Sequence, residues 1–108
     1  MKYLSYLLSG LLLILVSLAG ANAYAATTRV SSQTEYRDAA KDLQPGDTIE
    51  LANGEWQDFE IVFSGIGQQD NPITLTAEEK GKVFITGRSN LRISGEHLVV
   101  SGLVFKNG

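Results

Sequence analysis

Cysteine is absent from these 108 residues. That excludes disulfide staples, a thiolate nucleophile, cysteine-ligated zinc and a lipid anchor on cysteine. Histidine occurs once, so no multi-histidine metal site can form either. Positive charge is scarce as well. The chain carries 9 basic and 12 acidic residues, for a net charge of −3. Without a basic stripe it lacks the electrostatic footprint of a nucleic-acid binder, and no nucleic-acid partner is expected. An acidic balance does not exclude an anionic substrate, but the cleft would have to be built from particular lysines and arginines.

Long apolar runs are also lacking, with one exception at the start. Lys2 supplies a positive n-region, and positions 7–18 are apolar apart from Ser9, Gly10 and Ser17. Small residues follow. Ala21-Asn22-Ala23 and Ala23-Tyr24-Ala25 both fit the small-x-small cleavage rule, so residues 1–25 read as a secretory signal peptide cut after Ala23 or Ala25. The run is too short for a membrane span, which takes about 20 residues, and no stop-transfer cluster follows. The expected product is secreted or periplasmic, with no stable membrane insertion after leader cleavage. Removing 25 residues from 108 leaves 83, with 8 basic and 12 acidic side chains. A domain of that size buries only roughly 60% of its unfolded surface. A small exported domain without disulfides is unusual, so the chain is expected to be either self-sufficient in some special way or an incomplete piece of something longer.

Residues 26–46 form an N-terminal segment with one helix, expected over 32–43. Ser32 and Glu35 make a capping box, Tyr36, Ala39, Ala40 and Leu43 share one face, and Pro45-Gly46 ends it. From 47 to 108 short apolar runs alternate with Gly, Asn, Asp and Ser turns. Strands are expected at 48–51, 59–63, 73–76, 83–86, 91–94, 98–101 and 103–105. Ile49, Ile73 and Leu98 start comparable strands 24 and 25 residues apart, and 59–63 recurs as 83–86. Such a period marks a solenoid, here an all-β parallel β-helix. An antiparallel sandwich is the alternative. In the triplets Ile85-Thr86-Gly87, Ile93-Ser94-Gly95 and Val100-Ser101-Gly102 the aliphatic residue should point inward, the hydroxyl outward, and glycine should turn the corner. The helix would cap the open end of the coil.

The stretch from Leu43 to Trp56, containing Pro45-Gly46-Asp47-Thr48-Ile49, resembles the opening of pectate-lyase-like right-handed β-helices. Asn71-Pro72-Ile73-Thr74-Leu75-Thr76, Gly81-Lys82-Val83-Phe84-Ile85-Thr86-Gly87 and Val100-Ser101-Gly102-Leu103-Val104-Phe105-Lys106-Asn107-Gly108 narrow it. In order and spacing these resemble the N-terminal part of polysaccharide lyase family 6, which holds alginate lyases and chondroitinase B. Gln68 and Thr76 depart from the family pattern, where Thr and Arg are usual.

The resemblance implies calcium-assisted β-elimination of an acidic polysaccharide, alginate or chondroitin and dermatan sulfate, with alginate expected. It implies a lysine base at the uronate C5 proton, an arginine at the departing oxygen, and calcium neutralising the carboxylate. No position here matches those motifs, so no catalytic, cofactor-binding or metal-ligating residue is assigned. The chain alone is expected to be inactive. The alternatives are a non-catalytic carbohydrate-binding or adhesin-like β-helix, and a pectin-type hydrolase, which would require paired aspartates on neighbouring turns that this segment lacks.

The remaining chemistry-bearing residues read as structural. His97 is expected as a solvated turn residue. Asp47, Glu50, Glu55, Asp58 and Glu60 could suggest calcium, but their spacing matches no loop signature and a solvated face is expected. Lys80, Lys82, Arg88, Arg92 and Lys106 are expected as ordinary surface charge. Trp56 is expected as a partly buried aromatic rather than a sugar platform, and Asn107 as a turn residue.

Overall fold

Most strands of this chain place apolar side chains at every second position, and parallel pairing puts them above one another. The computed structural model describes residues 25–106. The expected leader, Ala25 apart, and Asn107 lie outside them. Strand β1 (Thr27–Val30) leads into helix α1 (Gln33–Ala39) and a 3-10 turn (Ala40–Asp42). There follow β2 (Thr48–Leu51), β3 (Gly54–Gln57), β4 (Glu60–Ile66), β5 (Ile73–Ala77), β6 (Val83–Thr86), β7 (Asn90–Glu96), β8 (Leu98–Val100) and β9 (Leu103–Phe105).

The strands form three sheets, ordered β1-β2-β5-β8, β3-β6-β9 and β4-β7, and every pair is parallel. From β2 onward the chain visits the first, second and third sheet in turn and then begins again. Parallel neighbours usually need a crossover of a dozen or more residues. From β2 onward the strands of the other two sheets are the crossover, whereas between β1 and β2 it is helix α1 with its 3-10 extension. Apart from the short helix and its 3-10 extension, the regular structure is all strand in parallel sheets.

Burial follows the alternation. Ile49 and Leu51, Ile61 and Phe63, Ile73 and Leu75, and Val83 and Ile85 are all buried. The register stacks them: Ile49 beside Leu75, Leu75 beside Val100, Trp56 beside Ile85, and Phe63 beside Ile93. Phe59, at the corner between β3 and β4, joins two aromatics. It stacks on Trp56 at 5.2 Å between centroids and meets Tyr36 edge-on at 5.3 Å.

Helix α1 is shorter than expected, because the last turn tightens to 3-10 and Leu43 is extended. Its start is as expected: the Ser32 hydroxyl accepts from the Glu35 amide at 3.1 Å, and Glu35 Oε1 accepts from Ser31 N at 2.7 Å. Tyr36 is buried, and Ala39, Ala40 and Leu43 pack against the core.

The register corrects two expectations. Ile73 does stack beside Leu98, but Ile49 stacks beside Leu75, 26 positions on. The stretch 59–63 does not recur as 83–86. Strand β4 pairs with β7, and β6 pairs with β3. Strand β3, Gly-Glu-Trp-Gln, carries one apolar residue and gives no period-2 signal of its own. Strand β1, three exposed residues and Val30, is equally silent. Within the triplets, Thr86 is buried because its hydroxyl donates to Glu55 Oε2 at 2.8 Å. Ile93 is 52% exposed although it lies over buried Phe63, because it belongs to the last layer described. Glycine turns the corner at Gly87 and Gly102 as expected, but Gly95 lies inside β7, and the corner that follows it is His97. At Gly95, with φ +132°, a β-carbon would run into the Gly65 carbonyl.

Tyr36 carries a pH signature. Its hydroxyl donates to the Val62 carbonyl at 2.8 Å, and burial pushes its pKa up to about 12 from the usual 10. The unfolded chain therefore ionises first. Stability is intact below pH 10 and falls as pH rises towards 12, by about 2–3 kcal/mol. Urea unfolding across pH 9–12 should show this loss relative to Tyr36→Phe, which cannot ionise there; parallel curves for the two proteins would contradict it.

Candidate functional site

The acidic stretch fastens corners. Asp47 Oδ1 accepts from Ala26 N at 3.1 Å and its Oδ2 from Gln44 N at 2.9 Å, closing the turn before β2. Asp58 stands at φ +54° and accepts the Arg88 amide at 2.7 Å, tying the β3–β4 corner to the β6–β7 corner above it. Glu55 holds Thr86. Glu50 and Glu60 alternate with buried neighbours along β2 and β4. Among the described residues no group of three or more His, Asp or Glu side chains converges to hold a metal ion. Two of the five acids already satisfy backbone amides, so the donors here do not fit a calcium ion.

The basic residues are dispersed. Lys80 and Lys82 lie in the β5–β6 connection, Arg88 at the next corner, and Arg92 on the exposed row of β7. Lys106 follows β9, with its ammonium 4.8 Å from the centre of the Phe84 ring. One open depression does gather charge. It is lined by Gln33, Arg37, Asp58, Glu60, Val62 and Arg88. Two cations and two anions nearly cancel, so it has no net field with which to hold a polyanion.

Trp56 is unavailable to a sugar. It is buried, stacked on Phe59, and its indole N–H donates to the Ala52 carbonyl at 2.9 Å. His97 is an exposed one-residue corner between β7 and β8 with φ +53°, and its carbonyl accepts from Ile73 N.

A polar seam at the corner after the first sheet has no counterpart in the sequence reading. Asn53 and Glu79 exchange two hydrogen bonds, of 2.5 Å from Asn53 Nδ2 to Glu79 Oε1 and 3.1 Å from Glu79 N to Asn53 Oδ1. Glu78 accepts the Asn53 amide and lies 3.5 Å from Arg29. Thr76 and Ser101 continue with hydroxyls 3.1 Å apart. Asn53, Glu78, Glu79, Thr76 and Ser101 find their partners 25 or 26 positions away, about one turn, and Arg29 reaches Glu78 across 49, so only the register reveals them. Among the described residues these contacts tie successive turns together.

The Chondroitinase B family model matches residues 30–108. Among solved structures, the PL6 family alginate lyase AlyGC is 54% identical over 74% of this chain and 11% of its own, with a TM-score of 0.72. The PL6 polysaccharide lyase Pedsa3628 from Pseudopedobacter saltans is 38% identical over 73% of this chain and 18% of its own, with a TM-score of 0.70. A mannuronic acid specific family 6 lyase from human gut microbiota is 32% identical over 72% and 19%, with a TM-score of 0.64. The chain thus spans between a tenth and a fifth of these relatives. No protein of the curated set matches.

If His97 serves only as a corner, His97→Asn should be tolerated, because asparagine adopts positive φ readily. Urea unfolding should place the variant within about 0.5 kcal/mol of the wild type. A loss of several kcal/mol would reveal a role for the imidazole.

Proposed function

The chain belongs to the chondroitinase B family of polysaccharide lyases, PL6 among the solved structures, and from that membership we propose that it forms the first turns of an alginate-cleaving lyase. The observation that carries this reading is the 54% identity to an alginate lyase along a coil whose strands pair in parallel register. On this reading the three sheets are the faces of a right-handed parallel β-helix. Helix α1, with Tyr36 against Phe59, caps its first turn. The upper layer, with Ile93 52% and Phe105 50% exposed, is the surface that a further turn of a longer chain would cover.

The reaction proposed for the whole protein is β-elimination at a uronate, on alginate or a related acidic polysaccharide. Calcium would serve there by neutralising the uronate carboxylate, held by residues other than those described here. The part these residues play is to fix the pitch and face of the sheets that carry the chemistry. Residues 1–25 supply export, which makes the protein secreted or periplasmic.

Two measurements test the reading. The purified chain, incubated with polymannuronate and calcium, should yield no unsaturated product by ultraviolet absorbance; clear turnover would show chemistry within these turns. Replacing the matching segment of AlyGC with residues 30–106 should leave alginate cleavage within about tenfold of the parent, or about 1.4 kcal/mol. A chimera that folds but does not cleave would mean that this segment is no lyase scaffold.

A further inference from the structure

The fold takes hold of the chain at Ala26. Its nitrogen donates to Asp47 Oδ1 at 3.1 Å, and its carbonyl accepts from Thr48 N at 2.8 Å. The next residue, Thr27, opens β1 and pairs with Thr48. Ala25 is exposed and lies over the Gly46 turn, where an added β-carbon would stand 3.0 Å from its methyl. An ordinary backbone N–H at the edge of a sheet is met by a carbonyl. This one is met by a carboxylate, whose other oxygen is fixed by Gln44 N at 2.9 Å. A carboxylate is matched to a cation more than to a neutral amide, because a charged donor makes the shorter and stronger bond.

The sequence supplies the cation. Ala23-Tyr24-Ala25 is one of two small-x-small sites in the leader, and the bond that follows it is the one that joins Ala25 to Ala26. We propose that the leader is removed between Ala25 and Ala26, and that the new α-ammonium of Ala26 docks on Asp47. Water is the co-reactant. The amide C–N bond breaks, the water oxygen ends in the Ala25 carboxylate of the departing leader, and both its protons end on the Ala26 nitrogen. A cut after Ala23 would instead leave Tyr24 and Ala25 as an overhang and keep the Asp47 partner a neutral amide. Asp47 is thus a receptor for the mature N-terminus as well as a turn residue. The inference rests on the export reading above.

The test uses the full precursor, expressed with its own leader in a secreting bacterial host. Intact mass and N-terminal sequencing of the product should give Ala26 as the first residue. A product starting at Tyr24 would overturn the proposal and leave export standing, whereas an uncut precursor would overturn both. The docking is read separately, by the rate at which an amine-reactive probe labels the N-terminal peptide. Asp47→Asn keeps an oxygen for Gln44 N and so keeps the turn. It should label several-fold faster than the wild type at neutral pH, with the lysines unchanged as internal controls. Equal rates would show that Asp47 does not hold the ammonium.

Discussion

Parallel register between successive turns is the constraint on which every other feature depends. A buried residue of this chain owes its burial to partners 20 to 30 positions away, such as Ile85 to Trp56 below and Phe105 above, or Ile61 to Leu91. Burying an aliphatic or aromatic side chain of this kind is worth about 1.5–3 kcal/mol. The gain is realised only if the corners between strands keep each inward row above the last. Most polar contacts serve that end. Asp58 spans two corners to reach Arg88 N, Asn53 and Glu79 pair across two more, and Asp47 closes the entry turn. At Gly65 and Gly95, partners on adjacent turns, both positions are glycine, and a β-carbon on Gly95 would run into the Gly65 carbonyl.

This explains which parts could be read from the residues. Period-2 alternation marks a strand and its inward face without reference to any other strand, so β2, β6 and β9 were legible to the residue. Register is different, because it is set by corner length. Six residues join β4 to β5, while His97 alone joins β7 to β8. A uniform 24–25 interval therefore misaligned 59–63 with 83–86. Strands β1 and β3 were hidden for a related reason. Every residue of each pairs with one neighbouring strand, but they contribute little beyond Val30 and Trp56 to the core.

What was legible of the candidate site was the surface character of its charged residues. Lys80, Lys82, Arg88, Arg92 and Lys106 read as dispersed surface charge, and all are exposed, spread over corners and strands. The reason several of the charged residues are there was not legible. Asp47 looked like surface acid in sequence, yet it fixes the nitrogen at which the fold begins. The matched segment is 11–19% of each relative's chain.

The register itself is open to a direct measurement, which the absence of cysteine makes clean. Val62 and Arg92 are outward partners on β4 and β7. Neighbouring strands lie about 4.8 Å apart, within the Cα separation that a disulfide tolerates. In a Val62→Cys, Arg92→Cys protein, mild oxidation should close one intramolecular disulfide nearly quantitatively. A Val62→Cys, Phe84→Cys control, with its thiols on different sheets, should stay reduced. Closure of the control in preference to the Val62–Arg92 pair would contradict the stacked register and the coil built upon it.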